Sequence, residues 1–324
     1  MALSEFSLID RYFKTELAPG SLGVGDDAAV LPVTPGRKLV VCKDVLLEGR
    51  HFFSDVCAES LGHKSLAVNL SDLAAMGSSP IGCLLGLGIP SVDEDWLAAF
   101  STGFREIANR WGCPLIGGDT VFSDKGIFIS VTALGELPVD QKGLLRSAAK
   151  VDDDIWVSGP LGAPDIAVRI LSGRLQDPHQ VLPDIRVTLE RPQPRVGLGQ
   201  SLLGVAHAAI DISDGLAQDL GHVLKASGVG AVLDIERLPV HPALKGFPMQ
   251  TVNHAVLHGG DVYELCFTAP VSSRDSVAEI GKSLGLNLVI VGKIQAEPGL
   301  FGQTAGQLMA LPTKGFDHFA QDVA

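Results

Sequence analysis

Residues 60–76 read SLGHKSLAVNLSDLAAM, and this stretch decides the fold of the first half of the chain. Its large apolar residues recur at i, i+4 and i+7, which predicts a helix with one buried face: Leu66, Leu70 and Leu73. A polar stripe has the same spacing: Ser65, Asn69 and Asp72. A carboxylate on a largely apolar helix needs a partner. A bound cation is one candidate partner for Asp72, and a structural salt bridge or a cap is the alternative.

The segments around this helix alternate between strand and helix patterns. Strands are predicted over 38–47, 81–89, 114–116 and 127–137, and a helix is predicted over 91–112. These elements do not follow a strict βαβ rhythm. The fold class is therefore predicted to be α+β, a mixed α/β arrangement, and not a doubly wound sheet.

A chain of 324 residues is expected to form two domains. The polar stretch 141–154 is the predicted boundary, with an N-terminal α/β domain over 1–140 and a C-terminal α/β domain over 150–324. In the second domain, helices are predicted over 164–171, 197–207 and 215–227, and strands over 229–235, 263–268 and 287–291. Residues 177–194 are rich in proline and are predicted to form an exposed connection.

Composition excludes several classes of protein. Hydrophobic residues make up 46% of the chain and charged residues 19%, which excludes a disordered chain. The net charge of −12 argues against nucleic acid or an anionic membrane as a partner. The five cysteines are widely spaced with no Cys-x-x-Cys pair, as in a reduced cytosolic protein. No signal peptide or membrane-spanning run is apparent, so a cytoplasmic location is expected.

The common nucleotide-binding and hydrolase motifs are absent from the sequence. Gly281-Lys282-Ser283 resembles the end of a P-loop, but Ser276 occupies the required earlier glycine position and the segment has a helical pattern. No Gly-x-Gly-x-x-Gly follows a strand, and there is no Gly-x-Ser-x-Gly or His-Glu-x-x-His. If the protein handles nucleotides, it uses another kind of site.

Aspartates beside glycines or at element ends occur in six short segments: Asp26-Asp27, Asp44, Asp72, Asp119, Asp211 to Asp214, and Asp261. Taken singly, each is more often a turn or a cap than a ligand, and Asp214 could cap the helix that follows it. Taken together, closely spaced carboxylates repel each other unless cations neutralise them. Hard oxygen ligands favour Mg²⁺. The set therefore predicts a magnesium-dependent site built without a P-loop.

Several of these segments resemble the motifs of the thiamine-monophosphate kinase family. The resemblance rests on Asn69 to Gly77, on Gly25-Asp26-Asp27-Ala28-Ala29 and on Gly117-Gly118-Asp119-Thr120. It also rests on three further segments: Asp211 to Leu216, Glu48 to Phe52, and Lys314 to Phe319. These motifs run from residue 5 to residue 319. The broader superfamily includes aminoimidazole ribonucleotide synthetase and selenophosphate synthetase, which share the aspartate-glycine plan.

The resemblance implies phosphorylation of thiamine monophosphate by ATP, with several Mg²⁺ ions and with thiamine diphosphate and ADP as products. It implies a homodimer formed through the N-terminal domain, and a C-terminal domain that closes over the active site. The acceptor phosphate has a second pKa near 6 and is mostly ionised at neutral pH, so no residue is assigned as a general base.

The same resemblance implies roles for individual residues. Positions matching metal ligands are Asp27, Asp44, Asp72, Asp119, Asp211 and Asp214. Positions matching ATP contacts are Gly118, Asp119, Arg146 and Ser213. Positions matching contacts to thiamine monophosphate are His51, Asp261 and Phe316. Read without the family, Arg146 is equally a surface arginine in a polar linker, His51 a hydrogen-bonded loop residue, and Phe316 a tail residue packed on the core.

Two departures from the family pattern concern the site. The family usually has Ser or Thr before the aspartate of the second segment, whereas Cys42-Lys43 precede Asp44 here. A lysine at that position is expected to place a positive charge beside a cation site. Near the substrate, Asp261 replaces a glutamate and Val262 an aspartate.

Two other functions remain open from the sequence. One is an ATP-dependent ligase or cyclase of the same superfamily that acts on another small molecule. The other is a regulatory protein that binds nucleotide or metal without turnover, against which the intact set of aspartates argues.

Overall fold

A computed structural model describes residues 5–24, 28–32, 34–313 and 315, and leaves aside the side chains of residues 5 and 6. The chain forms two compact units. The first comprises Met1–Leu73 and Ser78–Lys142, and the second comprises Ala74–Gly77 and Gly143–Ala324. Two domains with a mixed α/β fold are thus confirmed, and each is described by itself below.

The first domain is built on one four-stranded sheet and its helices. In chain order the elements are α1 (Glu5–Tyr12), β1 (Arg37–Leu47), α2 (Ala58–Ala75), β2 (Ser79–Ile89), α3 (Glu94–Trp111), β3 (Leu115–Phe122) and β4 (Phe128–Pro138). The strand order is β1-β4-β2-β3. The pairs β1/β4 and β2/β4 are antiparallel, whereas β2/β3 is parallel.

The two faces of this sheet differ. On the inner face, buried side chains such as Leu46, Leu85 and Val131 form the core with the apolar residues of α2 and α3. A Cβ atom on Gly62 would overlap the carbonyl oxygen of Phe100, so α2 and α3 approach at van der Waals distance. The outer face carries exposed apolar side chains: Leu39, Val41, Val45, Leu47, Leu84 and Phe128.

The second domain contains a seven-stranded sheet with the order β11-β10-β7-β9-β5-β8-β6. Its strands are β5 (Asp154–Val157), β6 (Ala208–Asp211), β7 (Gly230–Asp234), β8 (Leu265–Ala269), β9 (Val289–Gln295), β10 (Gly299–Thr304) and β11 (Gln307–Ala310). Its helices are α4 (Ala163–Leu171), α5 (Leu182–Glu190), α6 (Val196–Leu202), α7 (Leu216–Ser227), α8 (Met249–His258) and α9 (Arg274–Leu284). Short 3-10 helices lie at Arg146–Ala148, Ile235–Arg237, Pro242–Leu244 and Val271–Ser273.

The sequence-based prediction was wrong for residues 177–194. Helix α5 occupies the middle of this segment, with Pro183 in its first turn. Proline is tolerated there because the first amides of a helix have no partner within the helix. Ile185 and Leu189 are buried and hold the helix against the domain.

All five cysteines are free thiols, as expected. Across the described ranges, the structure contains no helix with both the length and the apolar character needed to cross a membrane.

Candidate active site

In the first domain, β1 and α2 bring Asp44 and Asp72 to one place. Asp44 and Cys42 share the inner face of β1. Asn69 of α2 links the two elements, because its side-chain Oδ1 accepts the Asp44 amide at 3.1 Å and its carbonyl lies 3.4 Å from the Cys42 Sγ. Burial, followed by the charges of Asp72 and Asp44, raises the pKa of the Cys42 thiol. Both carboxylates therefore lie close to the same side chain.

Lys43 lies on the opposite face of β1 from Asp44. Its Nζ donates to the Ser130 Oγ on β4 at 2.5 Å, and its neighbours on that face are the exposed residues Val41 and Val45. The expectation that Lys43 places its charge beside Asp44 is wrong, because successive side chains of a strand point to opposite faces.

Asp119 does not join this pair within the domain. The strand registers connect Asp44 to Val131, Val131 to Leu85, and Leu85 to Gly118. Asp44 and Gly118 are three strand spacings of about 4.8 Å apart, a distance of about 14 Å. Asp119 follows Gly118, pairs with Gly86, and faces the outer side of the sheet.

Asp119 lines a cavity of about 1280 Å³ within the first domain. Its neighbours in the wall are Gly117, Gly118 and Thr120, together with Val24 and Ala28, which flank Gly25-Asp26-Asp27. Asp26 and Asp27 themselves lie outside the described residues. A Cβ atom on Gly118 would overlap the carbonyl oxygen of Leu85, so only glycine fits at this position. Glycine at this position therefore lets β3 lie close to β2 beside Asp119.

His51 lies in the tight loop after β1. Its Nδ1 accepts the Leu47 amide at 3.0 Å, so the neutral ring carries its proton on Nε2. Lys64 of α2, a buried residue, donates from Nζ to the His51 carbonyl at 3.2 Å. Glu48 Oε2 accepts the Ile127 amide at 2.8 Å and holds the start of the loop. His51 is therefore presented as a hydrogen-bond donor of fixed tautomer.

In the second domain, Asp211, Ser213 and Asp214 connect β6 to α7. Asp211 is the last residue of β6 and is buried. Asp219 of α7 accepts the amides of Asp214 and Gly215 through its Oδ2, each at 3.0 Å. The N-cap of α7 is Gly215, and the capping alternative for the Asp214 carboxylate is therefore wrong.

Asp219 was missed by the sequence reasoning, although it is buried beside the predicted ligands. Burial and then the charge of Asp211 raise its pKa to about 8, with a further contribution from Asp214. A buried acid in the first turn of an apolar helix was the signal that could have identified it. The raised pKa therefore reflects burial first, and the neighbouring charges of Asp211 and Asp214 second.

The donor chemistry of these places fits Mg²⁺. Asp44 with Asp72, and Asp211 with Asp214, offer hard carboxylate oxygens in pairs, and magnesium usually takes one or two protein carboxylates with water and phosphate. Among the described residues, no three His, Cys, Asp or Glu side chains are grouped closely enough to hold a metal.

Asp261, expected to contact thiamine monophosphate, lies beside Ser213, which is expected to contact ATP. Its amide donates to the Ser213 carbonyl at 2.8 Å, and the Tyr263 amide donates to the Ile212 carbonyl at 2.8 Å. Asp261 and Tyr263 both have left-handed backbone conformations, with φ of 60° and 56°. The Tyr263 hydroxyl donates to Asp261 Oδ1 at 3.4 Å. Two non-glycine residues with positive φ in one short loop mark a strained segment, as is common at ligand sites.

Glu264 anchors this loop from inside the domain. Arg195 forms a bidentate ion pair with its carboxylate, with Nε 2.7 Å from Oε2, and the Ser158 hydroxyl donates to the same Oε2. The Leu265 amide donates to Ser158 Oγ at 2.8 Å. These polar residues were not identified from the sequence because their partners are more than 60 positions away.

Ser213, which is expected to contact ATP together with Arg146, lies just before the start of α7, whereas Arg146 lies at the other end of this helix. Its side chain is exposed, and its carbonyl accepts the hydroxyl of Ser227, the last residue of α7. The 12 residues of α7 span about 18 Å at 1.5 Å per residue. Phe316, the third residue expected to contact thiamine monophosphate, lies outside the described residues.

Comparison with known proteins shows similarity along almost the whole chain. The family model described as AIR synthase related protein, N-terminal domain, matches residues 25–137, and that for the C-terminal domain matches residues 152–304. The thiamine-monophosphate kinase of Escherichia coli (strain K12) is 40% identical over 99% of this chain and 99% of its own length.

Two solved structures are similar over most of their length. The crystal structure of thiamine-monophosphate kinase from Stenotrophomonas maltophilia K279a has a TM-score of 0.82 and 43% identity, covering 87% of this chain and 90% of that chain. The structure of AaThiL complexed with AMPPCP and TMP has a TM-score of 0.77 and 28% identity, covering 98% of this chain and 99% of that chain.

Proposed function

Because this chain belongs to the thiamine-monophosphate kinase family of AIR synthase related proteins, we propose that it transfers the terminal phosphate of ATP to thiamine monophosphate. The products are thiamine diphosphate and ADP. The observation that carries this proposal is the full-length similarity to kinases of this name, which extends to a relative complexed with an ATP analogue and TMP. The predicted aspartate segments lie within the same similarity.

The reaction brings together two anionic substrates, and bound Mg²⁺ would supply the positive charge that lets them approach. In the first domain, we assign the binding of Mg²⁺ to Asp27, Asp44, Asp72 and Asp119. In the second domain, Asp211 and Asp214 have that role. The repulsion of Asp219 by Asp211 and Asp214 supports this assignment, since a cation at the start of α7 would offset it.

The chain's own groups bind and orient the substrates. Gly118 and Asp119 line the cavity of the first domain, and we assign both residues, with Ser213 and Arg146, to ATP. His51 donates its Nε2 proton toward a phosphate oxygen of thiamine monophosphate, because its Nδ1 is already an acceptor. Asp261 is assigned to the same substrate, as is Phe316, whose ring suits stacking on an aromatic heterocycle.

No side chain is needed as a general base. The attacking group is a phosphate oxygen with a pKa near 6, which is already mostly ionised at neutral pH. Catalysis then consists of holding the donor and acceptor phosphates in line and excluding competing water. This view predicts a flat pH profile for kcat between pH 7 and 9.

We also propose that the protein is a homodimer formed through the outer face of the first sheet. That face exposes apolar side chains on β1, β2 and β4, an arrangement that favours a protein interface. Val41→Glu would place a charge in the middle of this face. Light scattering should then give half the mass of the wild-type protein, whereas an unchanged mass would contradict the assignment. The arrangement of the two domains and the cytoplasmic location stay predictions.

A direct assay tests the function. The protein is incubated with ATP, MgCl₂ and thiamine monophosphate, and the products are separated by chromatography, with EDTA in a parallel reaction. Thiamine diphosphate and ADP should form in equal amounts and only without EDTA. ADP and inorganic phosphate without thiamine diphosphate would favour a ligase or cyclase acting on another substrate. ATP binding without turnover would favour a regulatory protein.

A further inference from the structure

Helix α2 contains a charged residue, Lys64, in its buried part. The Lys64 side chain is 2% exposed, and residues 61–70 around it are all buried. Lysine is rarely buried completely, because its ammonium group loses the solvation that water provides. The ammonium group therefore needs polar partners within the domain. One of these partners is the carbonyl oxygen of His51, which accepts a hydrogen bond from Lys64 Nζ at 3.2 Å.

The loop that contains His51 is a compact turn with hydrogen bonds of its own. The His51 amide donates to the Leu47 carbonyl at 2.9 Å, and the Leu47 amide donates to His51 Nδ1 at 3.0 Å. The Gly49 amide donates to the Phe52 carbonyl at 2.9 Å, and Phe52 is buried. These bonds determine the shape of the loop, whereas the bond from Lys64 attaches the loop to α2. The placement of the His51 ring relative to the helix therefore depends on this attachment.

Helix α2 also carries residues of the proposed metal site. Asn69 accepts the Asp44 amide, and Asp72 is one helical turn further along. Lys64 precedes Asn69 by five residues and Asp72 by eight, which corresponds to about 8 and 12 Å along the helix axis. The helix has 18 residues and continues without a break over this length. A single element thus sets the spacing between the His51 loop and both carboxylates.

We propose that Lys64 is a positioning residue for thiamine monophosphate. Its buried ammonium group holds the His51 carbonyl and thereby fixes the His51 ring at a set distance from Asp44 and Asp72. This role rests on the proposed function, in which His51 donates to a substrate phosphate oxygen and the two aspartates hold Mg²⁺. Because a hydrogen bond weakens steeply when its geometry is poor, a donor whose loop has lost its attachment binds the phosphate less well.

Two substitutions remove the contact. Lys64→Met has nearly the length of lysine and suits an apolar environment, whereas Lys64→Gln is shorter and its amide does not reach the His51 carbonyl. Each substitution is made in the wild-type protein and in a His51→Ala variant, which loses the imidazole but keeps the carbonyl that Lys64 binds. Lys282 on α9 is an exposed helical lysine, so Lys282→Met is the matched control.

Calorimetry on the full chain at saturating Mg²⁺ reports the Kd of thiamine monophosphate and the Kd of a non-hydrolysable ATP analogue. Both Lys64 variants should raise the Kd of thiamine monophosphate by about 10- to 100-fold, the range for one hydrogen bond from a charged group. The Kd of the ATP analogue should stay within about twofold of the wild-type value. In the His51→Ala protein, the same substitutions should change the Kd of thiamine monophosphate by less than about twofold, because the group that Lys64 positions is gone.

Thermal melts separate this role from a general effect on stability. The carbonyl bond is present with or without the imidazole, so each Lys64 substitution should shift the melting temperature equally in the two proteins. Only the effect on substrate binding should depend on the imidazole. Lys282→Met should match the wild type in every measurement.

Four results would overturn the positioning role. The first is a wild-type Kd of thiamine monophosphate in both Lys64 variants, and the second is an equal loss of affinity with and without the imidazole. The third is unfolding of both Lys64 variants, detected by circular dichroism, which would make the lysine a requirement of the fold. The fourth is His51→Ala binding thiamine monophosphate as tightly as the wild type, which would remove the contact that Lys64 is proposed to position.

None of these results bears on the kinase function, because the wild-type protein would still convert thiamine monophosphate to thiamine diphosphate. A wild-type protein that neither binds thiamine monophosphate nor makes thiamine diphosphate would overturn the proposed function, and the positioning role with it.

Discussion

Arg195→Met perturbs the anchor of the Asp261 loop and gives the sharpest test of the second domain. Arg195 forms two hydrogen bonds to the buried carboxylate of Glu264, and the Ser158 hydroxyl supplies a third. In the variant, the carboxylate keeps only the neutral donor Ser158. The negative charge of Glu264 then remains in an apolar environment without its counter-charge.

The magnitude follows from the burial of both partners. The Glu264 side chain is 9% exposed and that of Arg195 is 21% exposed, so solvent screens the pair only weakly. Removing one partner of a buried pair costs about 3–5 kcal/mol. For a domain of this size, about 1 kcal/mol corresponds to a shift of about 2–4 °C, so the melting temperature should fall by about 6–20 °C.

Scanning calorimetry of Arg195→Met, Glu264→Gln and the double variant measures the pair. The double variant should be more stable than Arg195→Met, because a neutral amide needs no counter-charge. The interaction energy from the cycle should be about 1–3 kcal/mol. The reasoning is refuted if Arg195→Met melts within about 2 °C of the wild type, which corresponds to about 1 kcal/mol or less.

The same variant should affect the substrate more than the chemistry. The Glu264 carbonyl accepts the Ile212 amide at 2.8 Å. The loop that immediately precedes Glu264 contains Asp261 and Tyr263 in their left-handed conformations. Without the anchor, this loop can relax toward ordinary backbone angles. We expect a rise in KM for thiamine monophosphate that exceeds the fall in kcat, measured in the coupled ADP assay below the melting temperature.

Four further predictions address single residues. Asp72→Asn should lower kcat/KM by at least about 100-fold while circular dichroism stays unchanged. Loss of a residue that only supports a metal ligand lowers activity by about 10- to 100-fold, and loss of the ligand itself should cost at least as much. Near-normal turnover would show that Asp72 is not a ligand. Lys43→Thr should leave the Mg²⁺ dependence of activity unchanged, because Lys43 faces away from Asp44; a clear change would place it at the metal site. Gly315→Ala should raise KM for thiamine monophosphate, because its Cβ overlaps the Asp214 carbonyl, and an unchanged KM would argue against a role for this close contact in substrate binding. The Asp219 carboxyl has a folded-state pKa of about 8, above its ordinary value of 3.8, so the metal-free protein should lose stability as pH rises from about 4 to about 8. Thermal melts in EDTA should show this slope for the wild type and not for Asp219→Asn.

Local patterns predicted the elements whose burial follows a simple period. The leucine stripe of residues 66–73 predicted α2, and its polar stripe correctly placed Asn69 and Asp72 on one side of the helix. The orientation of Lys43 was also accessible from the two-residue period of a strand, although adjacency in sequence suggested the opposite. Segments with weak patterns were predicted less well. Helix α5 begins at a proline-containing turn, and the hairpin of β10 and β11 is short and exposed at its end.

The sequence by itself determined the two mixed α/β domains, the aspartate segments and the family, because these depend on residue types and spacings along the chain. Tertiary structure alone decided which of those carboxylates lie together. Asp44 and Asp72 both lie near Cys42 because α2 packs against β1, where Asn69 contacts Asp44 across 25 residues of chain. Asp119 is about three strand spacings distant on the other face. Asp219, Lys64 and Glu264 also became apparent only from their contacts. The charge and hydrogen-bond energy of a site depend on distances in space, and spacing along the chain does not specify those distances.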